Sequence, residues 1–321
     1  MEVFYCKNTG WYSMTEQGII DWLLEGDPAI RWQVHQHLLS DSDTAAQERA
    51  RVAADGWGAD LLARQDPSGR WAGQLYAHKW LSTTYTLQLL RRMGLDPGNH
   101  QAQQACQHLL DGGYQEGGAI SFAKTVSRID LGVVGLVLSI LAYFDFPDQR
   151  VSEIVGFLVD QQQPDGSWVP EPELTRLQYV FAGTMVVLEG LREYEKRYPG
   201  LETRLAEAQA YGREFLLQYH LNKSRDTQKN IDPKFARFSF PPRWHYDILV
   251  ALDYFQDCWA EKDERLMDAV ALLKSKRRND GCWNLQNRHP GKIYFEMEQV
   301  GQASRWNTLR ALRVLKWWEN D

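Results

Sequence analysis

A glycine two residues ahead of a tryptophan, set in a polar turn behind an apolar helical stretch, occurs three times in this chain. The copies are Gln65-Asp66-Pro67-Ser68-Gly69-Arg70-Trp71, Gln163-Pro164-Asp165-Gly166-Ser167-Trp168 and Asn279-Asp280-Gly281-Cys282-Trp283. A unit used repeatedly cannot bury its apolar face alone, so such a chain must stack its units against one another. The Trp residues stand 97 and 115 positions apart. A degenerate copy lies in each gap: Asp111-Gly112-Gly113-Tyr114 running to Gly118 and Phe122, then Lys234-Phe235 through Phe238-Phe240. The period is therefore close to fifty residues.

Each copy reads as helix, turn, loop, helix. Before the turns, Ala59 to Ala63, Gln104 to Leu110, Ile154 to Val159 and Ala269 to Leu273 have apolar residues at helical spacing and charge on the other face. After the turns come Thr83 to Leu90, Leu131 to Tyr143, Val180 to Leu191, Tyr246 to Tyr254 and Asn307 to Trp318, several of them apolar on nearly every side. That composition marks helices buried all round. An opening pair runs from Ile19 to Leu39, with Asp27-Pro28 suited to a helix start. Alternation of period two is confined to a few residues. The expected class is all-α: about six helical hairpins, outer helices amphipathic and inner helices buried, closed into an α/α toroid. An open solenoid is the alternative, disfavoured because it would leave the apolar inner helices partly wet. Residues 1–18 read as an extension and 19–321 as one domain.

Composition narrows the function. With 321 residues the chain can bury a full core. Its 36 Lys and Arg against 42 Asp and Glu give a net charge of -6, without the basic surplus that drives phosphate-backbone binding, so nucleic acid is not expected as a partner. The start, MEVFYCKNTG, lacks the basic and apolar regions of a signal peptide, and no run approaches a membrane span. The expected location is cytoplasmic, with peripheral membrane contact left open. Cys6, Cys106, Cys258 and Cys282 form no CxxC pair, which argues against a disulfide framework or a closed zinc site. No cofactor is expected. The unusual quantity is 13 Trp beside 14 Tyr and 12 Phe: flat apolar surfaces that serve packing or a ligand cavity equally well.

The turn Gln-x-x-Asp-Gly-x-Trp at Gln162 to Trp168, nearly repeated at Gln65 to Trp71, resembles the repeat of squalene and oxidosqualene cyclases and of protein prenyltransferase β subunits. The likeness covers roughly residues 58 to 318 at the level of repeat grammar. It implies an α/α toroid in which Gln163, Gly166 and Trp168 staple one repeat to the next. It implies a central aromatic cavity for an isoprenoid-like or other apolar molecule. The superfamily's reactive elements are missing: no Asp-x-Asp-Asp acid and no Asp-Asp-x-x-Asp magnesium motif occur. Asp280 and Cys282 have the spacing of a prenyltransferase zinc pair but sit inside the Trp turn, without a His on the helix that follows.

Aligning the inner helices places Tyr85, Asp247 and Asn307 in equivalent positions, polar where core is expected. A basic residue followed by Trp recurs at Lys79-Trp80, Arg243-Trp244 and Arg305-Trp306, with Arg128-Ile129-Asp130 and Arg176-Leu177-Gln178-Tyr179 in the same location. The plain reading is structural: Asp130 and Asp247 as helix N-caps, Trp as gap filler. The functional reading is an aromatic pocket with convergent polar groups. On that reading Asp247 acts as acid or base, His245 modulates it and Asp130 is a further carboxylate. Trp80, Tyr85, Tyr179, Trp244, Trp306 and Asn307 line the ligand, and Arg128 and Arg176 contact an anionic group. Two rivals remain: a carbohydrate-active helical barrel using Trp platforms and the Asp130/Asp247 pair, and a non-catalytic scaffold, favoured if the centre is filled with side chains. The long connections Leu221 to Pro242 and Asn284 to Gln302 read as binding loops or as surface loops anchored by their aromatics.

Overall fold

A computed structural model describes residues 15–123, 128–169, 177–200 and 203–320. Among them the regular structure is helical, apart from isolated bridges and one small hairpin, β1 (Tyr114–Gln115) and β2 (Ala119–Ile120). The chain is all-α, as its periodicity predicts. The helices are α1 (Glu16–Leu24), α2 (Pro28–Gln33), α3 (Ser42–Ala50), α4 (Gly56–Leu62), α5 (Thr83–Met93), α6 (His100–Gly113) and α7 (Leu131–Tyr143). They continue with α8 (Arg150–Asp160), α9 (Leu177–Arg197), α10 (Thr203–Gln218), α11 (Ile248–Asp257), α12 (Met267–Ser275) and α13 (Arg305–Glu319). Helix α2 runs on into a π-helical segment, Val34–Leu39. α10 lacks a sequence signal because no Gly-x-Trp turn follows it.

The three Trp turns share one bonding scheme. Each indole N–H donates to the carbonyl ten residues upstream, at the end of the preceding helix: Trp71 to Leu61 (2.7 Å), Trp168 to Leu158 (2.7 Å), Trp283 to Leu273 (2.8 Å). Each Trp backbone N–H donates to a threonine hydroxyl on the next inner helix: Thr83, Thr184 and Thr308 respectively. The turn thus fixes both ends of its hairpin with one buried side chain. The Gln four residues before the glycine adds the link to the next unit. Gln65 Nε2 donates to Gly69 O and to Gln101 O on α6, and Gln162 Nε2 to Gly166 O and to Ala208 O on α10. The staple is therefore Gln162. The side-chain amide of Gln163, expected in that role, donates instead to its near neighbour Gln161 O. In the third turn Arg277 takes over, donating to Gly281 O and lying 5.3 Å from the Trp283 ring centroid.

Glycine is required in these turns on two counts. Gly69, Gly118, Gly166 and Gly281 all have φ between +80 and +91°, and a Cβ there would collide with the next outer helix. The obstacles are Gln104 on α6, Glu153 O on α8, Tyr211 O on α10 and, for the last turn, Ile19 on α1. Gly118 identifies the degenerate second copy, in which buried Ile120 of β2 stands where the others have Trp.

The inner helices likewise touch in chain order. Trp32 Nε1 of α2 donates to Met93 O at the end of α5, α5 packs on α7, and α7 lies against α9 with Gly135 so close to Val187 that a Cβ would come within 2.6 Å of its Cα. Asp257 of α11 pairs with Arg192 and Lys196 of α9, Asp253 of α11 with Arg310 and Arg313 of α13, and Arg313 donates to Gln33 of α2. The last helix meets the first, and one contiguous apolar core runs from Ile19 to Trp317.

Candidate functional site

Two cavities among the inner helices differ in lining. The first, about 540 Å³, sits at the first turns of α7 and α9. Asp130 caps α7, accepting from Gly132 and Val133 N–H groups, and so holds Arg128-Ile129 at the edge. The walls are Ile129, Leu131, Val133 and Leu136 from one side, Val169, Ala182 and Val186 from the other, with Tyr76, Trp168, Tyr179 and Trp244 supplying aromatic surface. Lys79 and Arg128 bring positive charge, and among the described lining residues Asp130 carries the one carboxylate.

Trp244 is held by a stack of rings. It lies on His245 with centroids 3.9 Å apart, His245 lies on His289 at 3.7 Å with planes 8° apart, and Lys79 Nζ stands 4.8 Å from the Trp244 centroid. Burial lowers both imidazoles, His245 to about 4 and His289 to about 3, so both are neutral at pH 7. His289 Nε2 lies 3.1 Å from Ser239 Oγ, and Ser239 donates through N and Oγ to Asp247 Oδ2, both at 3.0 Å. Asp247 Oδ1 accepts Val250 N–H as the N-cap of α11. Burial raises the Asp247 carboxyl above the usual range against the pull of Arg310 and these donors. Its oxygens are spent on holding the loop Phe238–Phe240 to α11, and it lines neither cavity.

Behind the first cavity the centre is packed. Trp80 meets Tyr85 edge-on at 4.8 Å, and Leu136 and Val186 complete a small cluster flanked by Tyr76, Trp244 and Ile293. The loop after Trp283 reaches this plug from the last repeat: Trp80 Nε1 donates to Pro290 O, Trp80 N–H to Lys292 O and Tyr294 OH to Leu81 O. The Arg243 guanidinium lies 5.3 Å from the Trp80 centroid, and burial lowers it to about 10. Asn307 is fully buried and donates to Asn284 O and Phe238 O, anchoring the same loop.

The second cavity, about 480 Å³, is lined by the later turns of α5, α7 and α9 and by α11 and α13 from their first turns on. Arg91 and Arg92 of α5 pair with Glu189 of α9, Arg91 also with Glu193, and Arg310 and Arg313 of α13 share Asp253. Arg49, Arg192, Lys196 and Asp257 complete the charged lining, with His37 and Gln36 from the π-helical segment and the Phe240–Trp306 pair, stacked at 4.0 Å. Burial together with Arg313 lowers His37 to about 4.

The sequence-derived residues thus separate. Arg128, Asp130, Tyr179 and Trp244 line the first cavity; Trp306 lines the second; Trp80 and Tyr85 form the plug between; His245, Asp247 and Asn307 support loops. Arg176 lies outside the described residues. Asp280 pairs with Arg278, Cys282 is buried, and among the described residues no group of three His, Cys, Asp or Glu is placed to hold a metal ion. The charged second cavity escaped the sequence reading. Its signal is present as charges inside otherwise apolar inner helices, Leu90-Arg91-Arg92, Leu188-Glu189, Leu252-Asp253 and Leu309-Arg310. Among the described residues no helix is long and apolar enough to cross a membrane. Compared with models of protein families and with curated protein sequences, the chain matches none of them.

Proposed function

We propose that this protein is an α/α toroid whose first cavity binds an isoprenoid-like or similar apolar small molecule carrying a polar or anionic end. The observation that carries this reading is the cavity's composition: about 540 Å³ walled by aliphatic and aromatic side chains, with Lys79 and Arg128 at its edge. Apolar walls favour a hydrocarbon body at roughly 25 cal/mol per Å² buried, and the cationic edge orients its head. Binding is better supported than turnover. A cyclase acid must present its proton to the ligand, whereas Asp130 is an exposed N-cap and Asp247 is committed to Ser239 and Val250. The Trp80–Tyr85 plug favours a second reading, an interaction scaffold that keeps the helices without a ligand.

The test is native mass spectrometry of protein purified from its own host, followed by organic extraction and identification of what is bound. A stoichiometric apolar compound that is lost in Ala182→Phe, which fills the cavity, is the expected result. Protein that carries nothing, and whose melting temperature is unmoved by polyprenes or prenyl alcohols, would move the reading to the scaffold.

A further inference from the structure

We propose that the second cavity is a separate binding site for a small anion carrying two or more negative charges of the phosphate class. The first observation is the charge balance of its lining. Seven cationic side chains, named above, face four carboxylates across a cavity of about 480 Å³. The carboxylates are fully engaged: Glu189 takes both Arg91 and Arg92, and Asp253 takes both Arg310 and Arg313. A positive surplus remains in a partly dehydrated space, where charge interactions are stronger than in water. Burial, with Arg91 and Arg310 nearby, pulls Arg92 below the usual guanidinium range despite Glu189.

The second observation is unused donors. Arg310 is 3% exposed and its Nη2 has no hydrogen-bond partner; the same holds for Trp306 Nε1, at 1%. A buried donor without a partner is costly, and an anion in the cavity is what these groups lack. The third is the backbone. The π-helical segment Val34–Leu39 brings Gln36 and His37 to the lining, and such bulges are frequent at functional sites.

A purely structural account exists and is testable. The C-terminal ends of helices carry roughly half a negative charge each, and Arg49 and Arg192 answer it by donating to Gly94 O and Asp257 O. That account extends to Arg91 and Arg92, in the last turn of α5, and leaves Arg310 and Arg313, in the middle of α13, unexplained. Guanidinium forks match phosphate oxygens bidentately, which selects this class over monovalent ions. The site is independent of the apolar reading of the first cavity.

The experiment is titration calorimetry of the intact protein with inorganic pyrophosphate at two ionic strengths, with citrate and chloride as comparison ions. Saturable 1:1 binding that weakens with salt and exceeds that of chloride is expected, and citrate binding as tightly would reassign the class to polycarboxylates. Arg92→Gln should weaken pyrophosphate by at least about tenfold, while Glu193→Gln, which removes a competing carboxylate, should strengthen it. No heat and no shift in melting temperature at millimolar pyrophosphate would overturn the proposal, as would affinity lost in Arg128→Gln in the first cavity and kept in Arg92→Gln.

Discussion

Gly166 and Gly117 carry nearly the same left-handed φ, +88° and +86°, in different surroundings. A Cβ on Gly166 would sit 2.3 Å from Tyr211 O, whereas around Gly117 nothing lies within 4 Å. Left-handed strain alone costs about 1–2 kcal/mol for a residue with a Cβ. Gly117→Ala should therefore lose about that much in urea denaturation, and Gly166→Ala clearly more, because α10 must also move. Equal losses would mean that the turns do not press on the neighbouring helix. Residues of this kind were legible in the sequence, since a Gly-x-Trp turn serves a single local geometry wherever it recurs. Which of two adjacent glutamines does the stapling was not: Gln162 and Gln163 differ only in direction along the chain, and the partner that decides, Ala208 O, is 46 residues from Gln162.

The loop from Trp283 to Ser304 and the segment Ser239 to Asp247 hold one another through the His245–His289 stack. Both rings have folded-state values below the ordinary 6.5, so the unfolded chain takes up protons first as pH falls. Their contribution to stability is full above about 6.5 and is lost progressively down to about 3–4, the sign expected for a buried neutral histidine. Stability measured from pH 7 to 4 should fall, and His289→Asn should flatten that fall while leaving the melting temperature at pH 8 less affected. An unchanged slope would show that neither ring is buried neutral. At this scale the sequence marked out the long loop, as a binding loop or one anchored by its aromatics, and offered N-cap as one of two readings of Asp247, the other being the acid or base. It could not show that the loop crosses to Trp80, more than two hundred residues away, because nothing local in either segment records the pairing.

Across the whole molecule, ion pairs as well as apolar contacts link several inner helices. Asp253 joins α11 to α13 by holding Arg310 and Arg313, and Arg313 also reaches Gln33 of α2. Asp253→Asn would leave two largely buried guanidinium groups with an amide in place of a carboxylate. A loss of about 3–5 kcal/mol is expected, measurable as an earlier unfolding midpoint; a change below about 1 kcal/mol would place these pairs among ordinary surface contacts. The all-α class follows from periodicity, but the charged cavity does not, since an Arg on an apolar helix reads alike whether it faces solvent, a carboxylate or a ligand. The contact of Gly281 with Ile19 has a consequence for how the protein comes apart. Stacked repeat proteins melt from their ends, because terminal units have a neighbour on one side only. Here the last Trp turn abuts Ile19 of α1 and Arg313 of α13 reaches Gln33 of α2, so the first and last described units brace one another, and fraying from either should be suppressed.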